Sequence, residues 1–136
     1  SYWASHTLRP GAKGLSTDVC VPISRLAECI AETEADIASM GLIAPIVGHV
    51  GDGNFHVLVL MDMNDAQEIG RAEAFVSRLN LRAIDMEGTC TGEHGIGQGK
   101  MPYLDREHGH GTEIMRTIKR ALDPDNIMNP GKIVSV

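Results

Sequence analysis

Apolar and polar positions divide the chain into strand-like and helix-like stretches. Leu15 to Val21 reads as a strand that Pro22 stops. From Ile23 to Met40, Leu26, Ile30 and Ile37 recur at helical spacing, and Gly41 is a natural end. Leu42 to Val50 and Phe55 to Met61 are rich in Val, Ile and Leu and read as two strands. A long helix is predicted from Asp65 to about Met86, with Ile69, Ala72, Val76, Leu79 and Ala83 along one face. Gly88 to Gly99 is a glycine-rich loop. A last helix is predicted over about Thr112 to Leu122, capped by Thr112 and ended by Asp123-Pro124. Hairpin strands and helices without regular alternation give an α+β fold with an antiparallel sheet and helices on one face, followed by a C-terminal helical segment.

With 136 residues and no repeat or long linker, one domain is the simplest organisation. Hydrophobic residues make up 43% and charged residues 22%, which suits a packed core and excludes disorder. The net charge of −6 argues against nucleic acid, which needs clustered Lys and Arg, and against attachment to an anionic membrane surface. The longest apolar run, Val57 to Met61, is too short to cross a bilayer, and no signal peptide opens the chain. Cys20, Cys29 and Cys90 are odd in number and lack CxxC spacing, so they read as reduced thiols. The start at Ser1, directly in Tyr2-Trp3, reads as a piece of a longer protein.

Chemistry concentrates first in Gly48-His49-Val50-Gly51-Asp52-Gly53-Asn54-Phe55-His56. Asp-Gly between apolar strands predicts a two-residue hairpin turn. Counting outward, Val50 would oppose Phe55 and His49 would oppose His56, on one face, with β-carbons ~4.5–5.5 Å apart. Two such imidazoles can converge on one metal ion; two surface histidines, or a hydrogen-bonded pair, is the competing reading. His56, Leu58 and Leu60 fall on one face of the second strand and Phe55, Val57 and Val59 on the other, so both faces need cover, one of them from a further domain.

The second concentration is Thr89-Cys90-Thr91-Gly92-Glu93-His94-Gly95-Ile96-Gly97-Gln98-Gly99-Lys100. It lacks the glycine and the Ser/Thr of a nucleoside-triphosphate loop, and no GxGxxG opens a helix after a strand. Glu93 would complete a two-His, one-carboxylate ligand set, and His94 beside it could act as a base. Against this stand a solvated loop acid and a structural histidine. His6, His108 and His110 read as surface histidines, and the scattered methionines as core fillers.

Three ordered segments, Gly48–His56, Gly88–Lys100 and Leu122-Asp123-Pro124-Asp125-Asn126-Ile127-Met128-Asn129-Pro130-Gly131-Lys132, resemble the C-terminal domain of FAD-linked oxidases of the vanillyl-alcohol-oxidase type. The opening Leu8-Arg9-Pro10-Gly11 and Thr17 to Ser24 are similar to the subgroup of D-lactate dehydrogenases that pass electrons to cytochrome c or a quinone. The resemblance implies a ferredoxin-like cap domain over residues 1–136, with the FAD-binding domain and the arginine for the substrate carboxylate lying N-terminal to it. It implies that His49, His56 and Glu93 bind a divalent metal (zinc, manganese or iron), that His94 is the active-site histidine, and that Asn129 approaches the flavin. Relatives acting on diacids carry a polar residue where Leu58 stands, so a small or apolar substrate side chain is implied.

The expected activity is therefore FAD-dependent, metal-assisted oxidation of a small D-2-hydroxy acid, D-lactate or similar, to the 2-oxo acid. His94 would take the hydroxyl proton while hydride passes to the flavin. The expected location is cytoplasmic or peripheral to an energy-transducing membrane, and a homodimer is left open. Isolated, the chain is expected to be inactive. A metal-dependent hydrolase using the same His/His/Glu set, or a non-catalytic folding or dimerisation module, are the alternatives.

Overall fold

The structure is a computed structural model that describes residues 7–136. Tyr2, Trp3 and His6 lie outside the described residues. The chain divides into two compact units, Ser1–Gly92 and Glu93–Val136, with the break inside the glycine-rich loop.

The first unit is an antiparallel sheet with two helices on one face. Its elements are β1 (Lys13–Ser16), β2 (Val19–Cys20), α1 (Ile23–Met40), β3 (Ile46–His49), a 3-10 turn (Val50–Asp52), β4 (Asn54–Met61) and α2 (Ala66–Asp85). β4 is central: β1 and β2 run along one edge in a single register, from Lys13 opposite Met61 to Cys20 opposite Asn54, and β3 pairs on the other edge. The strand predicted over Leu15 to Val21 is thus real but starts earlier and breaks at Thr17-Asp18. There the Thr17 hydroxyl accepts the Val57 N–H at 2.8 Å in place of a ladder carbonyl.

The predicted strand over Leu42 to Val50 shortens to Ile46–His49. Pro45 has no N–H for the ladder, so only its carbonyl takes part, accepting Leu58 N–H at 3.0 Å, and Ile43 makes an isolated bridge to Leu60.

Phe55, Val57, Val59 and Met61 alternate onto the face that meets the helices. Leu26 and Cys29 of α1, and Ala72, Phe75, Leu79 and Ala83 of α2, complete that core. Helix α1 matches its predicted span and ends at Gly41 in the left-handed conformation (φ 62°). Helix α2 begins where the side chain of Asp65 accepts the N–H groups of Gln67 and Glu68 at 2.9 and 3.1 Å. Polar contacts also join the helices: Arg82 of α2 pairs with Asp36 and Glu32 of α1, and Arg78 lies 2.7 Å from Asp36.

The second unit is helical: a 3-10 turn (Met101–Tyr103), α3 (Leu104–His108) and α4 (Gly111–Leu122). The predicted last helix is present, but Thr112 is not its cap. The helix starts at Gly111, and the Thr112 hydroxyl is buried, donating to the Leu104 carbonyl at 3.2 Å. Ile114, Ile118 and Leu122 form an exposed apolar stripe along α4.

Candidate functional site

The hairpin does not turn at Asp52-Gly53 alone. His49 pairs with Asn54, Gly48 with Phe55 and Val47 with His56, so the direct opposition of His49 and His56 expected from the sequence is incorrect. Four residues, Val50 to Gly53, make the connection. A two-residue turn of that type needs positive φ at both central positions, yet only Gly53 adopts it (φ 73°), while Asp52 belongs to the 3-10 turn. Tertiary contacts hold the longer loop: the Val21 N–H donates to the Gly53 carbonyl at 3.0 Å, and the Cys20 thiol donates to the Asp52 carbonyl at 3.3 Å. A side chain on Gly53 would overlap the Val21 carbonyl.

The shift in register is two positions in the pairing, so facing is retained. His49 becomes the diagonal neighbour of His56, and their rings stand edge-to-face with centroids 6.0 Å apart and planes at 89°. His49 is exposed and His56 partly buried.

His56 is held from behind. Its Nδ1 lies 3.1 Å from the Thr17 carbonyl and 3.8 Å from Oδ1 of Asp18. Asp18 is fully buried and accepts from Asn54 Nδ2 at 2.9 Å and from the Thr91 hydroxyl at 3.3 Å. Asn54 Nδ2 also donates to the Val19 carbonyl at 3.0 Å. Gly92 closes this cluster, since a Cβ there would overlap the Asn54 amide and sit 2.7 Å from Asp18 Oδ1. Asp18 and Asn54 do not stand out from the sequence. The available signal was an acid set within an otherwise apolar strand, because a buried charge must find partners.

In the second unit, Glu93 and His94 are adjacent, with His94 Nε2 3.8 Å from Glu93 Oε1 and each side chain about half exposed. Asn129 adopts a left-handed backbone (φ 47°) after a turn organised by Asp123. The Asp123 carboxylate accepts the N–H groups of Ile127 and Met128, each at 2.9 Å, and pairs with Lys119. No disulfide joins Cys20, Cys29 and Cys90; burial pushes the Cys20 and Cys29 thiols up, which disfavours a thiolate nucleophile. Among the described residues no helix is long and apolar enough to cross a membrane.

Residues 2–133 match the family of FAD linked oxidases, C-terminal domain. The chain belongs to this family. It is 53% identical over 137 residues to the probable mitochondrial D-lactate dehydrogenase of Danio rerio, covering 100% of this chain and 28% of that protein. It is 42% identical to the mitochondrial D-lactate dehydrogenase (cytochrome) of Arabidopsis thaliana, covering 97% of this chain and 24% of that protein. The chain thus spans about a quarter of the length of these relatives. In fold it is similar to 4-ethylphenol oxidase from Gulosibacter chungangensis, solved with isoeugenol, at a TM-score of 0.67 and 18% identity, over 94% of this chain and 25% of that one. The α+β architecture expected from the sequence is therefore that of a FAD-linked oxidase C-terminal domain.

Proposed function

We propose that this chain is the substrate-facing C-terminal part of a FAD-dependent dehydrogenase that oxidises a D-2-hydroxy acid of D-lactate type. One observation carries the reading: His49 and His56 share a face of the β3–β4 hairpin with rings 6.0 Å apart. That donor pair fits a divalent cation such as zinc, manganese or iron, because imidazole nitrogens bind zinc at ~2.0–2.1 Å and can converge from this spacing. Glu93 is assigned as the third ligand. It follows by one peptide bond the Gly92 that lodges beside Asp18 and Asn54.

A bound cation would supply Lewis acidity, and the flavin a hydride acceptor. The chain's own residues do the rest. His49, His56 and Glu93 orient the hydroxyl and carboxylate of the substrate, and His94 receives the hydroxyl proton at Nε2. Leu58, buried on the His56 face of β4, favours a small apolar substituent over a second carboxylate. Asn129 approaches the flavin. The exposed Ile114, Ile118 and Leu122 of α4 suit burial against the flavin-bearing part. The two relatives, both mitochondrial and one cytochrome-linked, support a cytochrome acceptor and a peripheral association with an energy-transducing membrane.

The test uses the flavin-bearing protein that contains this chain. His49→Ala should strip the metal, measured by elemental analysis. His94→Ala should cut turnover of D-lactate by roughly 10²–10⁴-fold, the usual worth of a general base, while the metal stays bound. Full metal occupancy and activity in His49→Ala would remove the ligand assignment, and a colourless protein without flavin would favour a hydrolase instead.

A further inference from the structure

We propose that Asp18 is the positioning residue of the metal-binding site, bracing both histidines through one buried carboxylate. The inference rests on the reading of His49 and His56 as ligands and adds what holds them in place. Asp18 is fully buried, with both oxygens acting as acceptors, one from Asn54 and the other from Thr91. A buried carboxylate is costly unless it is paired and hydrogen-bonded, so its retention inside an apolar strand calls for a role.

Two contacts define that role. Asp18 Oδ1 lies 3.8 Å from His56 Nδ1, whose hydrogen-bond acceptor is the Thr17 carbonyl at 3.1 Å. A carbonyl can only accept, so Nδ1 carries the proton, and the nearby negative charge favours that tautomer. Nε2 then holds the lone pair a cation requires. The same Oδ1 accepts from Asn54, the residue whose backbone closes the hairpin opposite His49 and lies two positions before His56 on the same face. Asp18 thereby ties the His49 end of the loop to the ring of His56. Carboxylates behind metal-bound histidines fix ring orientation, and their loss typically costs about 10–100-fold in metal affinity.

The experiment is a calorimetric cobalt(II) titration of the metal-free, flavin-bearing protein that contains this chain, with wild type, Asp18→Asn and His56→Ala compared. Asp18→Asn should weaken cobalt binding about 10–100-fold and His56→Ala should abolish it. Nitrogen NMR of the metal-free wild type should show His56 as the Nδ1–H tautomer, and Asp18→Asn should shift it toward Nε2–H. Unchanged cobalt affinity in Asp18→Asn, alongside its loss in His56→Ala, overturns the role of Asp18 and leaves the ligand assignment standing. Wild-type affinity in His56→Ala overturns the ligand assignment itself. Should Asp18→Asn fail to fold, the wild-type spectrum still decides, because a predominant Nε2–H tautomer at His56 overturns the proposal.

Discussion

Adding one methyl group at Gly92 should destabilise the first unit measurably, although the residue lies in a glycine-rich loop. The new Cβ would overlap the Asn54 amide nitrogen, lie 3.0 Å from Asn54 Cγ and 2.7 Å from Asp18 Oδ1. Two responses are open. If the cluster holds still, overpacking costs about 1–3 kcal/mol. If Asn54 swings away, the clash is relieved but its 2.9 Å bond to the buried Asp18 is lost. A hydrogen bond to a charged group is worth about 1.5–3 kcal/mol. The chain takes the cheaper route, so the expected loss is roughly 1–3 kcal/mol. At a urea dependence of about 2 kcal/mol per molar, that lowers the unfolding midpoint by about 1 M. Gly51→Ala is the control, because a Cβ there meets nothing within 4 Å and the backbone is not left-handed. It should be neutral or stabilising by about 0.4–1 kcal/mol. Equal midpoints for the two variants would show that Gly92 is not packed against Asn54 and Asp18.

Phe75→Ala should cost about 3–5 kcal/mol in the same urea assay, since the ring is fully buried between α2 and β4; a loss under about 1 kcal/mol would place the ring outside the core. In the second unit, the ion-paired hydrogen bond from Lys119 holds the Asp123 carboxyl below its ordinary range, against the opposing effect of burial and with help from the Ile127 and Met128 N–H groups. A carboxyl lowered in the folded state contributes stability that is full above the unfolded value of ~3.9 and is lost as pH falls through the lower folded value. Amide protection at Ile127 and Met128 should therefore persist down to about pH 4 and fail only below it; loss between about pH 5 and 7 would contradict the assignment.

The helices were legible because their signals are local. Apolar spacing and Gly41 gave the limits of α1, and Asp65 gave the start of α2. The hairpin was legible in facing but not in length. Asp52-Gly53 carries the chemistry of a two-residue turn, yet hydrogen bonds from Val21 and Cys20, more than thirty positions away, settle the loop at four residues. The break at Thr17-Asp18 was hidden for a similar reason, since a side-chain hydroxyl stands in for a ladder carbonyl only once Val57 is beside it. Helix α3 escaped because Asp105-Arg106-Glu107-His108 offers no apolar period. The shared face of His49 and His56 is legible from their spacing around a turn, whereas Asp18 becomes informative only when its burial is known.

X-ray absorption at the metal edge, recorded on the metal-loaded chain, tests the central claim most directly. Two imidazole nitrogens at ~2.0–2.1 Å, with the ring multiple-scattering that marks histidine, and a carboxylate oxygen at ~2.0–2.2 Å are predicted. A shell of sulfur near ~2.3 Å, or oxygen alone without imidazole scattering, would contradict it.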